Sequence, residues 1–304
     1  MKKDENIPRH FNSISELHRL LGLPKPFHPL ISLNDNTQIG VAKANLPSSF
    51  LFDFYKISSK KRLHGKIRYG QHYYDFDEGG LVFTAPNQLL ATTDDTEYEG
   101  YTLLIHPDFF RNYPLGKNIK NYGFFSYAVH EALYLSDKEK KIIFNILQNI
   151  DDELKSNIDD FSQDVIVSQI ELLLNYSNRF YKRQFITRKA ANNDVLEKLE
   201  TLLTNYFNDA TGLNKGLPTV QFIAAELNMS AGYLSDMLRS LTGQNTQQHI
   251  HNKLIEKAKE ILSASNLSVA EIAYQLGFER PQSFNKLFKS KTNISPLAFR
   301  EMFN

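Results

Sequence analysis

One pattern occurs twice in this chain. Ile223, Ala224 and Leu227 recur about 50 residues later as Ile272, Ala273 and Leu276, and Leu234 and Leu238 recur as Phe284 and Phe288. In the later copy, Ser268-Val-Ala-Glu271 has the form of a capping box, which satisfies free amides at a helix start. Val269, Ile272, Ala273 and Leu276 follow on one helical face, and Gly277 stands where the helix stops in a left-handed conformation. A second short helix takes Pro281 in its first turn and buries Phe284, Leu287 and Phe288. Its other face shows Gln282, Ser283, Asn285, Lys286 and Lys289. In the earlier copy, Pro218-Thr219-Val220 opens the first helix and Asn228 sits at the stop. Ser230 caps the next helix, which carries Leu234, Met237, Leu238 and Leu241 inward and ends at Gly243. Asn and Gly are the residues that best tolerate a left-handed stop, so Asn228 matches Gly277, and Gly243 matches Asn293. A single copy could be an ordinary helical hairpin. Two copies point to a repeated helix-turn-helix.

Between the copies, Thr246–Ser263 reads as one helix, with Ile250, Leu254, Ala258, Ile261 and Leu262 on its apolar face. At 1.5 Å per residue it spans about 27 Å, close to the roughly 34 Å of one DNA turn. A single chain could therefore place two recognition helices on one face of a duplex. From Arg280 to Arg300 the sequence carries five basic residues and no acidic one. Residues 192–304 as a whole carry eleven of each sign, so attraction to phosphate must come from local patches.

Residues Ile272, Ala273, Gly277, Phe278, Phe284, Phe288, Lys289, Ser295, Pro296, Phe299 and Arg300, with Ala258 and Ile261-Leu262 in the joining helix, form a motif. It resembles that of the bacterial AraC-type transcriptional regulators. The resemblance covers about 110 residues. It implies a DNA-binding regulator whose first recognition helix presents Gly232, Tyr233, Ser235, Asp236 and Arg239. The second would present Arg280, Gln282, Ser283, Asn285 and Lys286, with Lys289 on the same basic face. Gln can pair bidentately with adenine, and Arg or Lys with guanine. The first set departs from the family's habit. Asp236 repels phosphate and Gly232 offers no side chain, so the second unit is expected to read more. Lys253 stands near the position of a common Arg in the joining helix.

The rest of the chain predicts an α+β protein. Ser13-Ile-Ser-Glu16 predicts a capped helix ending at Gly22, and Pro24, Pro26 and Pro29 an extended arm, together residues 1–29. Over 30–110, short runs read as strands: Leu30–Leu33, Gly40–Ala44, Phe50–Ile57, Leu81–Phe83, Gln88–Ala91 and Tyr101–Ile105. Turn-prone segments such as Ser58–Lys61 separate them. This spacing suggests a sandwich or small barrel, and the resemblance implies a cupin-like barrel that senses a small-molecule effector. Phe52, Phe54, Tyr74 and Phe83 are candidates to line its pocket, and core filling is the alternative for each. Residues 111–181 form a helical cover or dimerisation region. Residues 182–193 read as a linker within the basic segment Arg179–Lys189, and 194–304 as the double helix-turn-helix domain.

His64, His72 and His106 do not share a metal-ligand spacing, so no metal and no cofactor is expected. No cysteine is present, which removes thiolate chemistry. The polar start of the chain suggests no signal peptide, and no apolar run is long enough for a membrane span, so a cytoplasmic protein is expected. The implied partners are double-stranded DNA, a small-molecule effector, a second copy of the chain and RNA polymerase. Two readings stay open: a DNA-binding regulator that is not an enzyme, and a cupin-type enzyme with a helical appendage.

Overall fold

The computed structural model describes residues 8–39, 47, 49–60, 67–69, 72–74, 79–91, 100–156, 159–187, 189–208 and 216–303. The chain divides into two compact units, Met1–Gln184 and Phe185–Asn304. Their boundary falls inside one helix, α4 (Ser162–Thr187).

The first unit is a mixed sheet and helix structure. Its main sheet is antiparallel, in the order β10-β7-β4-β9-β2, built from Leu133–Tyr134, Gly80–Thr84, Tyr55–Lys60, Gly100–Ile105 and Ile31–Asp35. A smaller sheet pairs β1 (Arg9–Phe11) with β3 (Ser49–Phe52) and β8 (Leu90–Ala91). A hairpin pairs β5 (Ile67–Tyr69) with β6 (His72–Tyr74). Among the described residues the main sheet stays open, with β10 and β2 at its edges, so the expected closed cupin barrel is corrected. Alternation along strands fixes which side chains share a face but not whether the last strand meets the first.

Two other expectations change here. The predicted strand Phe50–Ile57 is broken at Asp53-Phe54 into β3 and β4. The predicted turn at Ser58–Lys61 falls largely within β4, because β7 and β9 pair with Ser58, Ser59 and Lys60 from both sides. Pairing on two sides outweighs the turn propensity of Ser-Ser-Lys. The expected strand Gly40–Ala44, His64, and the side chains of His72, Tyr73, Tyr74 and Phe76 lie outside the described residues.

The two faces of the sheet differ. Ile57, Phe83 and Leu103 are aligned across β4, β7 and β9 on one face. There Phe83 meets Phe124 and Phe125 at ring distances of 4.3 and 5.6 Å, and Tyr181 stacks on Phe124 at 5.5 Å. The opposite face carries Ser32, Asn34, Ser58, Thr84 and Thr102, with Leu104 at one end. Leu104 joins a core of Phe11, Ile14, Leu17, Phe52 and Phe54, which seats helix α1 (Ile14–Leu21). Helix α1 stops at Gly22 with φ of 67°, as its sequence predicts. The Ser13 side chain makes no cap bond, and Glu16 instead faces Arg9 at 3.6 Å.

Beyond the short helix α2 (Pro114–Asn118), α3 (Asp137–Lys155) and α4 (Ser162–Thr187) complete the unit. The pattern Ser136-Asp-Lys-Glu139 forms a capping box at the start of α3, with Ser136 N donating to Glu139 Oε2 at 2.8 Å. Glu139 also accepts two bonds from Arg183, at 3.0 and 2.8 Å. Gln184 accepts from Tyr134 N at 2.8 Å and donates to Ala132 O at 3.2 Å, so its amide completes the edge strand β10. The stretch read from sequence as a linker therefore begins inside a helix and clamps the sheet edge. Charge and aromatic content alone did not distinguish these roles.

The second unit holds α5 (Lys189–Asn208), α6 (Val220–Glu226), α7 (Ala231–Thr242), α8 (Thr246–Ala264), α9 (Val269–Gln275), α10 (Pro281–Thr292) and α11 (Pro296–Glu301). Helices α6–α7 and α9–α10 are the two helix-turn-helix units, on either side of α8. Asn228, Gly243, Gly277 and Asn293 have φ of 55°, 76°, 88° and 65°, so all four predicted left-handed stops form. The turn bonds repeat as well: Met229 N donates to Ala224 O at 2.8 Å, and Phe278 N to Ala273 O at 3.0 Å. Ile223, Leu234, Met237 and Leu238 are buried in one copy, and Ile272, Leu276, Phe284 and Phe288 in the other.

Candidate nucleic-acid interface

The outward face of a recognition helix can read DNA only if its side chains are not already engaged. Helix α10 meets this condition. Its start is set by Pro281, and Phe284 and Phe288 anchor its inner face, their rings 5.7 Å apart. Arg280, Gln282, Ser283, Asn285, Lys286 and Lys289 are all exposed. Among the described residues, no side-chain hydrogen bond or ion pair ties these six to the protein. The helix thus presents amide donors and acceptors, a hydroxyl and three cations in one array.

Helix α7 differs. Tyr233, expected at the DNA face, is 7% exposed, and its ring meets Phe185 edge-on at 5.1 Å. It stands on the flank beside Leu234 and Met237, and an aromatic body at such a position goes to the core. Ser235 Oγ lies 2.9 Å from Thr246 Oγ1, the start of α8. Asp236 holds the Arg239 guanidinium at 2.6 Å, which neutralises part of that cation's field. Gly232 contributes no side chain. The predicted residues of α7 are brought onto one helix, but Tyr233 is buried, Ser235 is bonded to α8, and Asp236 and Arg239 pair with each other.

The basic run 280–300 also divides. Lys291 Nζ donates to Asn252 Oδ1 at 3.1 Å. Arg300 donates to Leu262 O at 3.3 Å and Leu267 O at 2.6 Å, so it clasps the end of α8. These two cations serve the fold, whereas Arg280, Lys286 and Lys289 face outward. Net charge could not separate the two groups. Lys253 pairs with Glu256 at 3.7 Å.

Of the predicted effector-lining aromatics, the three with described side chains fall into two packed clusters. Phe52 and Phe54 stack at 5.0 Å within the α1 core, and Phe83 belongs to the cluster with Phe124 and Phe125 on the other sheet face. The Tyr74 side chain lies outside the described residues. His106 accepts from Asp108 N at 3.3 Å and caps a short helical turn. Among the described residues, no group of three or more His, Asp or Glu is placed to hold a metal. No described helix is long and apolar enough to cross a membrane.

The α8 histidines lead us to expect a pH-dependent stability of this unit. His249 lies 2.9 Å from Thr242 Oγ1 and 3.9 Å from Glu200. Burial holds its imidazole below the ordinary 6.5, with Glu200 opposing. Burial and then Lys291 lower His251. Below about pH 6.5 the unfolded chain therefore binds more protons than the folded one, and stability falls as the pH drops through that window. The melting temperature of the His249→Gln chain should change less between about pH 7.5 and about 5.5 than that of the native chain. Equal changes would clear His249 of this role.

Residues 223–302 match the family model of a helix-turn-helix domain. The uncharacterized HTH-type transcriptional regulator YfiF of Bacillus subtilis is 23% identical over 254 residues, 82% of this chain and 77% of that protein. The HTH-type transcriptional activator RhaS of Salmonella newport is 27% identical over 141 residues, and the match spans 46% of each protein. A solved structure, the C-terminal domain of the two-component response regulator yesN from Fusobacterium nucleatum, is 30% identical. It covers 35% of this chain and 98% of that one, with a TM-score of 0.31. Paired helix-turn-helix units about one shared helix define a DNA-binding transcription regulator. Residues 223–302 form an AraC-type helix-turn-helix domain, the kind these regulators carry.

Proposed function

We propose that both helix-turn-helix units contact adjacent major-groove segments of one duplex, and that α10 supplies most of the base readout. The observation that carries this reading is the contrast between the two helices: an untied polar and cationic face on α10, an internally bonded one on α7. Footprinting on duplexes selected from a random pool tests it. Two protected segments about one turn apart are expected, with base-specific interference concentrated under one of them. A single protected segment would exclude the paired reading.

Control by a small molecule bound to the first unit belongs to the same proposal. With Phe52, Phe54 and Phe83 committed to packing, the sheet face bearing Ser32, Asn34, Ser58 and Thr102 is the better supported binding surface. These groups bond in two sets: Asn34 and His18 to Ser32 at 2.8 and 2.9 Å, and Ser58 to Thr102 at 3.3 Å with Thr102 to Asn36 at 2.8 Å. Such a face suits a ligand rich in hydrogen-bonding groups. An effector would act by favouring one of two arrangements of the chain. Self-association is supported by Phe161, just before α4, and by Val165 and Leu172 along it, all three exposed. Contact with RNA polymerase completes the proposal. The cupin-type enzyme reading gains no support from the family match.

A further inference from the structure

One side chain touches the ends of both recognition helices. Asn252 lies half-buried in the second turn of α8. Its Nδ2 donates to Gln244 Oε1 at 2.8 Å, and its Oδ1 accepts from Lys291 Nζ at 3.1 Å. Gln244 directly follows Gly243, the left-handed stop of α7, and Lys291 stands in the last turn of α10. The amide therefore bonds to the end of one reader through its donor and to the end of the other through its acceptor. A side chain with both capacities is needed: Asp would offer only acceptors, and Leu neither.

The apolar face of α8, with Ile250, Leu254 and Ala258 buried, determines where the two units sit along that helix. Apolar packing is tolerant of small rotations, whereas a hydrogen bond fixes a direction. Direction matters here because each base pair advances the duplex by roughly 3.4 Å along each strand, so a small swing of α10 against α7 changes which separation of half-sites fits.

We propose that Asn252 is a positioning residue that sets the half-site spacing this chain prefers. The inference rests on the reading that both units contact DNA. Its test uses the full chain and duplexes carrying both selected half-sites, at the selected spacing and with one base pair added or removed. A further duplex carries the α10 half-site alone. The native chain should favour the selected spacing. In Asn252→Leu both bonds are lost, and the preference should shrink about fivefold, the worth of one or two net hydrogen bonds, with affinity for the lone half-site unchanged. Asn252→Asp retains an acceptor for Lys291 and loses the donor to Gln244, so it should fall between the two. A native-like spacing profile in Asn252→Leu overturns the assignment. So does an equal loss on every duplex, the lone half-site included, which would mark a residue of the fold only. A native chain indifferent to spacing defeats the paired reading itself, and Asn252's role with it.

Discussion

Gly277→Ala should cost the second unit about 2–4 kcal/mol, read as a lower urea midpoint of the full chain. Two separate effects combine. The backbone at Gly277 has φ of +88°, where a side chain is strained. An added Cβ would also meet the backbone carbon of Gly216 at 2.8 Å. That neighbour cannot easily withdraw, because its carbonyl accepts from Tyr206 at 2.9 Å and so is held to α5. The other stops supply the control. Asn293 has a similar φ of 65°, and Asn293→Gly should change stability by only about 0.5 kcal/mol. If Gly277→Ala unfolds at the native midpoint, the close approach is not a constraint.

The second large effect concerns recognition. Gln282→Ala and Lys286→Ala should each weaken binding to the selected DNA by about 1–3 kcal/mol and relax discrimination beneath α10. Both side chains are exposed and untied, so truncation removes contacts to DNA and leaves the packing of Phe284 and Phe288 in place. Unchanged melting with weakened binding is therefore expected, in contrast to Gly277→Ala. Asp236→Ala on α7 should act in the opposite sense. It releases Arg239 from its 2.6 Å ion pair and should raise general affinity for DNA modestly. If neither α10 substitution changes binding, α10 is not the reader.

The features legible in the sequence are those set by neighbours in the chain. The four left-handed stops, the Ser136–Glu139 and Ser268–Glu271 capping boxes and the apolar stripes of α7, α8 and α10 each depend on a few consecutive residues. The repeat made them stronger by showing the same local solution twice. What escaped depends on distant partners. Ser58–Lys60 became strand because two other strands claimed it. Tyr233 is buried beside Phe185, and the Ser13 hydroxyl makes no cap bond while the Glu16 carboxylate faces Arg9. Lys291 and Arg300 looked identical to Lys286 in a charge count, and only their acceptors distinguish them.

The amide of Gln184 has a consequence for the chain before it finishes folding. Strand β10 is two residues long and lies at the sheet margin, where free backbone N–H and C=O groups can template another polypeptide. Gln184 occupies Tyr134 N and Ala132 O, and Arg183 occupies Tyr134 O at 2.8 Å, much as a neighbouring strand would. Until α4 docks, that margin is adhesive; once it has docked, the sheet can no longer grow through β10. The docked helix thereby closes this margin to a further strand.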